Sequence, residues 1–149
     1  MNDLIEVTRL RVRYSETDQM GTFYNSRALE WFECARSELM RGLGLPYAEI
    51  ERRGVYLPLV ESHVFYQGRA HYDDLLIIEA KWSYAGRAKM RFDVRIRHAE
   101  TGDRVTEGYT IQAFVDASGR VIRPPAWLVE ALDKLPDPSG NPDLPSTKA

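Results

Sequence analysis

Asp18 is the side chain best placed to do chemistry, because Gly21, Tyr24 and Asn25 lead from it directly into a long stretch of helical periodicity. The first turn of any helix presents backbone N–H groups without intrahelical partners and the positive end of the helix dipole, which suits the stabilisation of an oxyanion. A carboxylate next to such a terminus can attack an activated carbonyl or deprotonate a water that does so. The same residues also suit a plain structural role, in which Asp18 caps a turn and Asn25 caps the helix. The residues alone leave both readings open.

Other chemistries are excluded or weakened by the motifs that are missing. The chain has no G-x-S-x-G elbow, no G-x-x-x-x-G-K-[ST] phosphate loop, no G-x-G-x-x-G and no H-E-x-x-H. His98-Ala99-Glu100 matches the H-x-E of zinc deaminases but lacks the P-C-x-x-C that must follow. His63, His71 and His98 have no mutual metal-ligand spacing and read as surface or hydrogen-bonded histidines, so no metal or cofactor is expected. Cys34 lies inside the helical run with no His in sequence contact, the pattern of a structural cysteine rather than a nucleophile. Glu30 and Glu33 lie one helical turn apart, with Arg27 and Arg36 in reach, and read as a charge-paired, solvated helix face.

The elements that must position Asp18 follow from hydrophobic period. Residues 5–14 alternate as a strand with an irregularity near Thr8 and Arg9, and residues 25–43 place Ala28, Phe32, Ala35, Leu39 and Leu43 on one helical stripe. A short helix over 47–53 is followed by a switch to period two over 55–67, 75–84, 87–98 and 104–116, with turn signals between, and by a terminal helix over 127–135. This order predicts an α+β domain in which one long helix covers one face of a five-stranded antiparallel sheet. Along 87–98 the apolar Ala88, Met90, Phe92, Val94 and Ile96 share one face, and Arg87, Lys89, Arg91, Asp93, Arg95 and Arg97 share the other. One helix leaves sheet edges open, and edge-to-edge dimerisation would close part of that gap.

The 149 residues carry 20 Lys+Arg against 22 Asp+Glu, a formal net charge of −2, which argues against a dedicated nucleic-acid binder. The single cysteine excludes an internal disulfide framework and fits a reducing compartment. No apolar run approaches the ~18 residues of a membrane span, and the start MNDLIEVTRL has no signal-peptide core, so a cytoplasmic location is expected. The domain is expected to occupy 1–135, followed by a flexible Pro-rich tail over 136–149.

The stretch from Val12 to Arg36, V-R-Y-S-E-T-D-Q-M-G-T-F-Y-N-S-R-A-L-E-W-F-E-C-A-R, resembles the D-x-x-G-x-x-Y-[HN] signature and following helix of hotdog-fold acyl-CoA thioesterases of the 4-hydroxybenzoyl-CoA thioesterase/YbgC-like group. A second block, H-Y-D-D-L-L-I-I-E at His71–Glu79, resembles that family's Y-x-D-D-x-L pattern, and the likeness spans about residues 5–133. The resemblance implies a hotdog fold, hydrolysis of an acyl-CoA thioester, and Asp18 as the catalytic nucleophile or general base. It implies that Gly21 makes the tight turn and that the amide of Asn25, or its neighbour Tyr24, polarises the thioester carbonyl. Many relatives carry His at the position of Asn25 and an aromatic residue at that of Ala28. It further implies Arg87, Lys89 and Arg91 at the CoA phosphates, Glu61, Ser62 and His63 at an acyl pocket across a subunit interface, and a homodimer that assembles into a tetramer. An acyl carrier protein as thioester donor, and a non-catalytic acyl-CoA binding protein, are the rival expectations.

Overall fold

The apolar stripe on the long helix and the buried faces of the strands are complementary, and they build the molecule as two layers. The computed structural model describes residues 4–134, so the expected tail over 136–149 lies outside the described residues. The elements run β1 (Ile5–Arg11), α1 (Arg27–Gly42), α2 (Tyr47–Arg52), β2 (Leu59–Tyr66), β3 (Leu75–Tyr84), β4 (Lys89–His98), β5 (Arg104–Ala113) and α3 (Ala126–Asp133). The strands form one antiparallel sheet in the order β1-β3-β4-β5-β2, which leaves β1 and β2 as its two edges. The α+β expectation holds.

Helix α1 turns Ala28, Trp31, Phe32, Ala35, Leu39 and Met40 onto the sheet, where they meet Leu76, Ile78, Trp82, Phe92 and Ile96. Burying each such large apolar side chain contributes about 1.5–3 kcal/mol, and this face holds the helix in place. Leu128 and Leu132 of α3 join the same core. The irregularity in β1 is real: its register with β3 shifts between Glu6 and Thr8. Strand β2 starts at Leu59 instead of Val55, since Pro58 has no N–H to donate to a ladder.

The outermost pairing depends on a glycine. A Cβ added at Gly108 would lie 1.9 Å from the backbone oxygen of His63 and 3.1 Å from the Phe32 ring, so β2 and α1 both approach β5 through the space a side chain would fill. Gly108→Ala is expected to push β2 outward and lower the unfolding free energy by about 1–3 kcal/mol, measured by urea denaturation. An unchanged midpoint would show that this approach is not tight in solution.

Candidate functional site

Asp18 sits at the tip of a miniature hairpin that precedes α1. The Asp18 N–H donates to the Thr22 carbonyl (2.9 Å), Gly21 N–H donates to the Asp18 carbonyl (3.0 Å), and Thr17 bridges Phe23. Gly21 has φ 82°, a left-handed conformation that the turn requires and that side chains resist. One carboxylate oxygen of Asp18 accepts the Met20 N–H at 2.8 Å, while its second oxygen accepts none of the described hydrogen bonds. The structural role thus exists, and it also pins the carboxylate with one oxygen left over. The hairpin is stitched to the chain before β3, where Phe23 N–H donates to the Ala70 carbonyl (2.9 Å) and Ala70 N–H to Thr22 Oγ1 (3.2 Å).

The base of the hairpin is held by a residue that the sequence did not single out. Glu16 is 3% exposed; its Oε1 accepts the Arg13 N–H at 2.7 Å and its Oε2 the indole N–H of Trp31 at 2.8 Å. Its backbone carbonyl also accepts the Tyr24 N–H at 2.8 Å. Burial pushes this carboxyl up, but the Arg13 amide, the Trp31 indole and the Arg13 guanidinium outweigh it and hold the group below its ordinary value.

The amides of the helix start are unequally used. Tyr24 is committed to Glu16, whereas Arg27, Ala28 and Leu29 donate to the carbonyls of Tyr24, Asn25 and Ser26. Asn25 and Ser26 donate to no described group, so of the two amides expected to polarise a carbonyl, Asn25 is available and Tyr24 is not. No side chain caps α1, so the expected capping role of Asn25 is absent. Tyr66, at the end of β2, donates its hydroxyl to the Asn25 carbonyl at 2.7 Å.

The expected acyl-pocket residues separate onto two faces. Ser62 pairs with Thr110, which lies under α1 and accepts a hydrogen bond from Arg36 Nη1 at 3.4 Å. Glu61 and His63 point to the opposite face, where the His63 ring stacks on Tyr109 (5.6 Å) and Glu61 Oε2 accepts the Tyr109 hydroxyl at 2.9 Å. Neighbouring residues of a pleated strand point to opposite faces, so of these three only Ser62 shares the helix-facing side with Val64 and Tyr66. Arg36 turns inward to Thr110, and the expected Glu33–Arg36 pair does not form among the described residues; Arg27 and Glu30 do pair, at 2.7 Å.

Comparison with known proteins decides the family. The model of the thioesterase-like superfamily matches residues 12–132. The chain belongs to the thioesterase-like superfamily. The chain is 38% identical to YneP of Bacillus subtilis over 69 residues, 46% of this chain and 50% of YneP. It is 32% identical to the acyl-CoA thioesterase YbgC of Haemophilus influenzae over 88 residues, 58% of this chain and 65% of that protein. The chain thus spans half to two thirds of the length of these two relatives. The crystal structure of the hypothetical protein TT1821 of Thermus thermophilus superposes with a TM-score of 0.81 at 30% identity, covering 89% of this chain and 100% of that one. The long helix against a five-stranded antiparallel sheet is the hotdog fold of thioesterase structures.

This member of the superfamily neutralises most of its basic strand. Arg91 pairs with Asp93 (2.9 Å) and lies 3.9 Å over the Tyr109 ring, while Arg95 and Arg97 both pair with Glu79 (3.1 and 2.9 Å). Only Arg87 and Lys89 of the three expected CoA-binding cations are exposed and without a described ionic partner. Cys34 is exposed, contrary to the expectation of a structural cysteine, and partial burial with the charge of Glu33 pushes its thiol up, away from a nucleophilic thiolate. It borders a groove of about 650 Å³ between α1 and edge strand β1, which contains none of the residues expected to act on substrate.

The Glu16 carboxylate makes stability depend on pH. Its lowered carboxyl stabilises the folded state above its unfolded-state pKa, and that contribution is lost as pH falls through the lower folded-state value. Glu16→Gln is expected to cost about 2 kcal/mol at pH 7. The gap to wild type should begin to narrow below about pH 4.3, the ordinary glutamate value, and shrink further as pH falls, read from urea midpoints at pH 7 and under acid conditions. A gap that stays constant would assign the cost to packing alone.

Proposed function

We propose that this chain hydrolyses acyl-CoA thioesters to the free acid and CoA, working as a homodimer. The observation that carries the reading is the pinned Asp18 carboxylate on a hairpin that runs into two uncommitted amides at the start of α1, in a member of the thioesterase-like superfamily. The similarity to the Haemophilus influenzae acyl-CoA thioesterase supports the substrate class.

In this reading the thioester oxygen rests on the Asn25 N–H, and one such donor contributes on the order of 3–4 kcal/mol to the transition state. The second oxygen of Asp18 has two routes. It attacks the carbonyl carbon, expelling CoA thiolate and leaving a mixed anhydride that water cleaves, or it takes the proton from a water that attacks the same carbon. The thiolate leaves readily in both, so no strong general acid is needed. Arg87 and Lys89, by the turn between β3 and β4, are the cations for the CoA phosphates, and Arg91 braces the sheet through Asp93.

Strand β2 supports the dimer. It is an open edge that exposes Leu59, Val60, Phe65 and Tyr66, and pairing with the same edge of a second copy would satisfy its backbone and cover those side chains. The row Ser62, Val64 and Tyr66 on the helix-facing side leads from Arg36 toward Asn25, the path along which an acyl group would lie.

Thiol release from a panel of acyl-CoAs tests the proposal. Asp18→Asn is expected to lower kcat by on the order of a hundredfold or more, and retained activity would remove Asp18 from the mechanism. The double variant Arg87→Ala with Lys89→Ala should raise KM with little change in kcat; an unchanged KM would return both to the solvated surface. Acyl carrier protein thioesters cleaved faster than CoA thioesters would reassign the donor, and tight CoA binding without hydrolysis would favour a binding protein. Light scattering should return at least twice the mass of one chain, and four times if dimers pair.

A further inference from the structure

We propose that Tyr66 is a positioning residue for the oxyanion site, aiming the Ser26 N–H, and with it a second hydrogen bond, at the substrate carbonyl; this rests on the thioesterase reading above. In a trans peptide the C=O of one residue and the N–H of the next point to opposite sides of the chain. The Tyr24 carbonyl is held inside the first turn by the Arg27 N–H at 2.9 Å, so the Asn25 N–H across that peptide faces out of the helix. The Asn25 carbonyl is held by two donors, the Tyr66 hydroxyl at 2.7 Å and the Ala28 N–H at 3.3 Å. The Ser26 N–H across this second peptide therefore also faces out, and Ser26 already has helical dihedrals (φ −67°, ψ −18°). Neither N–H donates to a described group.

The two donors on Asn25 are unequal. The helical bond from Ala28 is long, so most of the restraint on the Asn25–Ser26 peptide comes from Tyr66. The phenol ring is itself restrained: it stacks on Phe23 (6.1 Å, 23° between planes), which packs at 4.9 Å on Trp31, and its backbone pairs with Thr106 of β5. Burial pushes the Tyr66 hydroxyl above its ordinary value, which keeps it protonated and donating at neutral and mildly alkaline pH. A donor on the carbonyl also polarises the peptide and strengthens the N–H at its other end, an effect that grows as negative charge develops on the substrate oxygen. Tyr66 thus belongs to the turnover step more than to ground-state binding.

Tyr66→Phe removes the hydroxyl and keeps the ring. With an acyl-CoA that wild type hydrolyses, the variant is expected to lose kcat by about tenfold with KM within about twofold, at unchanged melting temperature and unchanged mass by light scattering. Unchanged kcat, or a loss expressed only as raised KM or lowered stability, would overturn the positioning role. The amide resonance of Ser26 gives an independent readout: its chemical shift and hydrogen-exchange rate should change in Tyr66→Phe, and a Ser26 amide identical to wild type would also overturn the inference. Wild type inactive on every acyl-CoA would instead sink the thioesterase reading, while the Ser26 amide would still report whether Tyr66 holds the peptide.

Discussion

The buried carboxylate of Glu16 is the constraint on which the site depends. It joins the end of the β1 segment, through the Arg13 amide, to the second turn of α1, through the Trp31 indole, and the backbone carbonyl of the same residue holds the Tyr24 amide ahead of α1. A carboxylate in an apolar setting is unfavourable unless its lone pairs are matched by donors, and here each oxygen has one. The match fixes both the angle at which the chain enters α1 and the base of the hairpin that carries Asp18. The backbone carbonyl of Glu16 then takes the Tyr24 amide, while the Asn25 and Ser26 amides stay uncommitted among the described residues.

The sheet separates two kinds of work by its pleat. Its helix-facing side is apolar and carries the core, with Ser62, Tyr66, Thr106 and Thr110 among its polar members near the open β2 edge. Its other side is a web of charge in which Glu79 holds Arg95 and Arg97, Asp93 holds Arg91, and Tyr109 links Arg91 to Glu61 and His63. Burial raises the Glu79 carboxyl while its two guanidinium partners lower it, and the partners prevail. These long side chains lie across the strands, so three of the row's five cations share two carboxylates and most of the positive surplus is left at Arg87 and Lys89.

Much of the architecture was legible because hydrophobic period reports burial directly. The 16-residue helix, the β1 irregularity, the β3 boundaries and the apolar face of β4 all follow from which residues recur at 3.6 or at 2. Strand ends were less legible: β2 and β5 are shorter than their apolar runs, because Pro58 cannot donate to a ladder and the residues after Ala113 leave the sheet for isolated bridges. Asp18 and Gly21 could be selected because a turn leading into a helix start has local spacing. Glu16 and Tyr66 could not, since their partners lie 15 and 41 positions away and no periodicity encodes such a pairing.

The sequence by itself therefore determined the element order, the two-layer α+β class, the location of a carboxylate ahead of a helix start and the family resemblance, all of which depend on local order along the chain. Only the tertiary structure decided which amides of that helix start are free, which cations at and just before β4 lack a carboxylate, and which of Glu61, Ser62 and His63 faces α1. Those outcomes depend on partners brought together by strand pairing and helix packing. Whether a polar group is satisfied is a property of its surroundings in space, and residue type and spacing do not carry it.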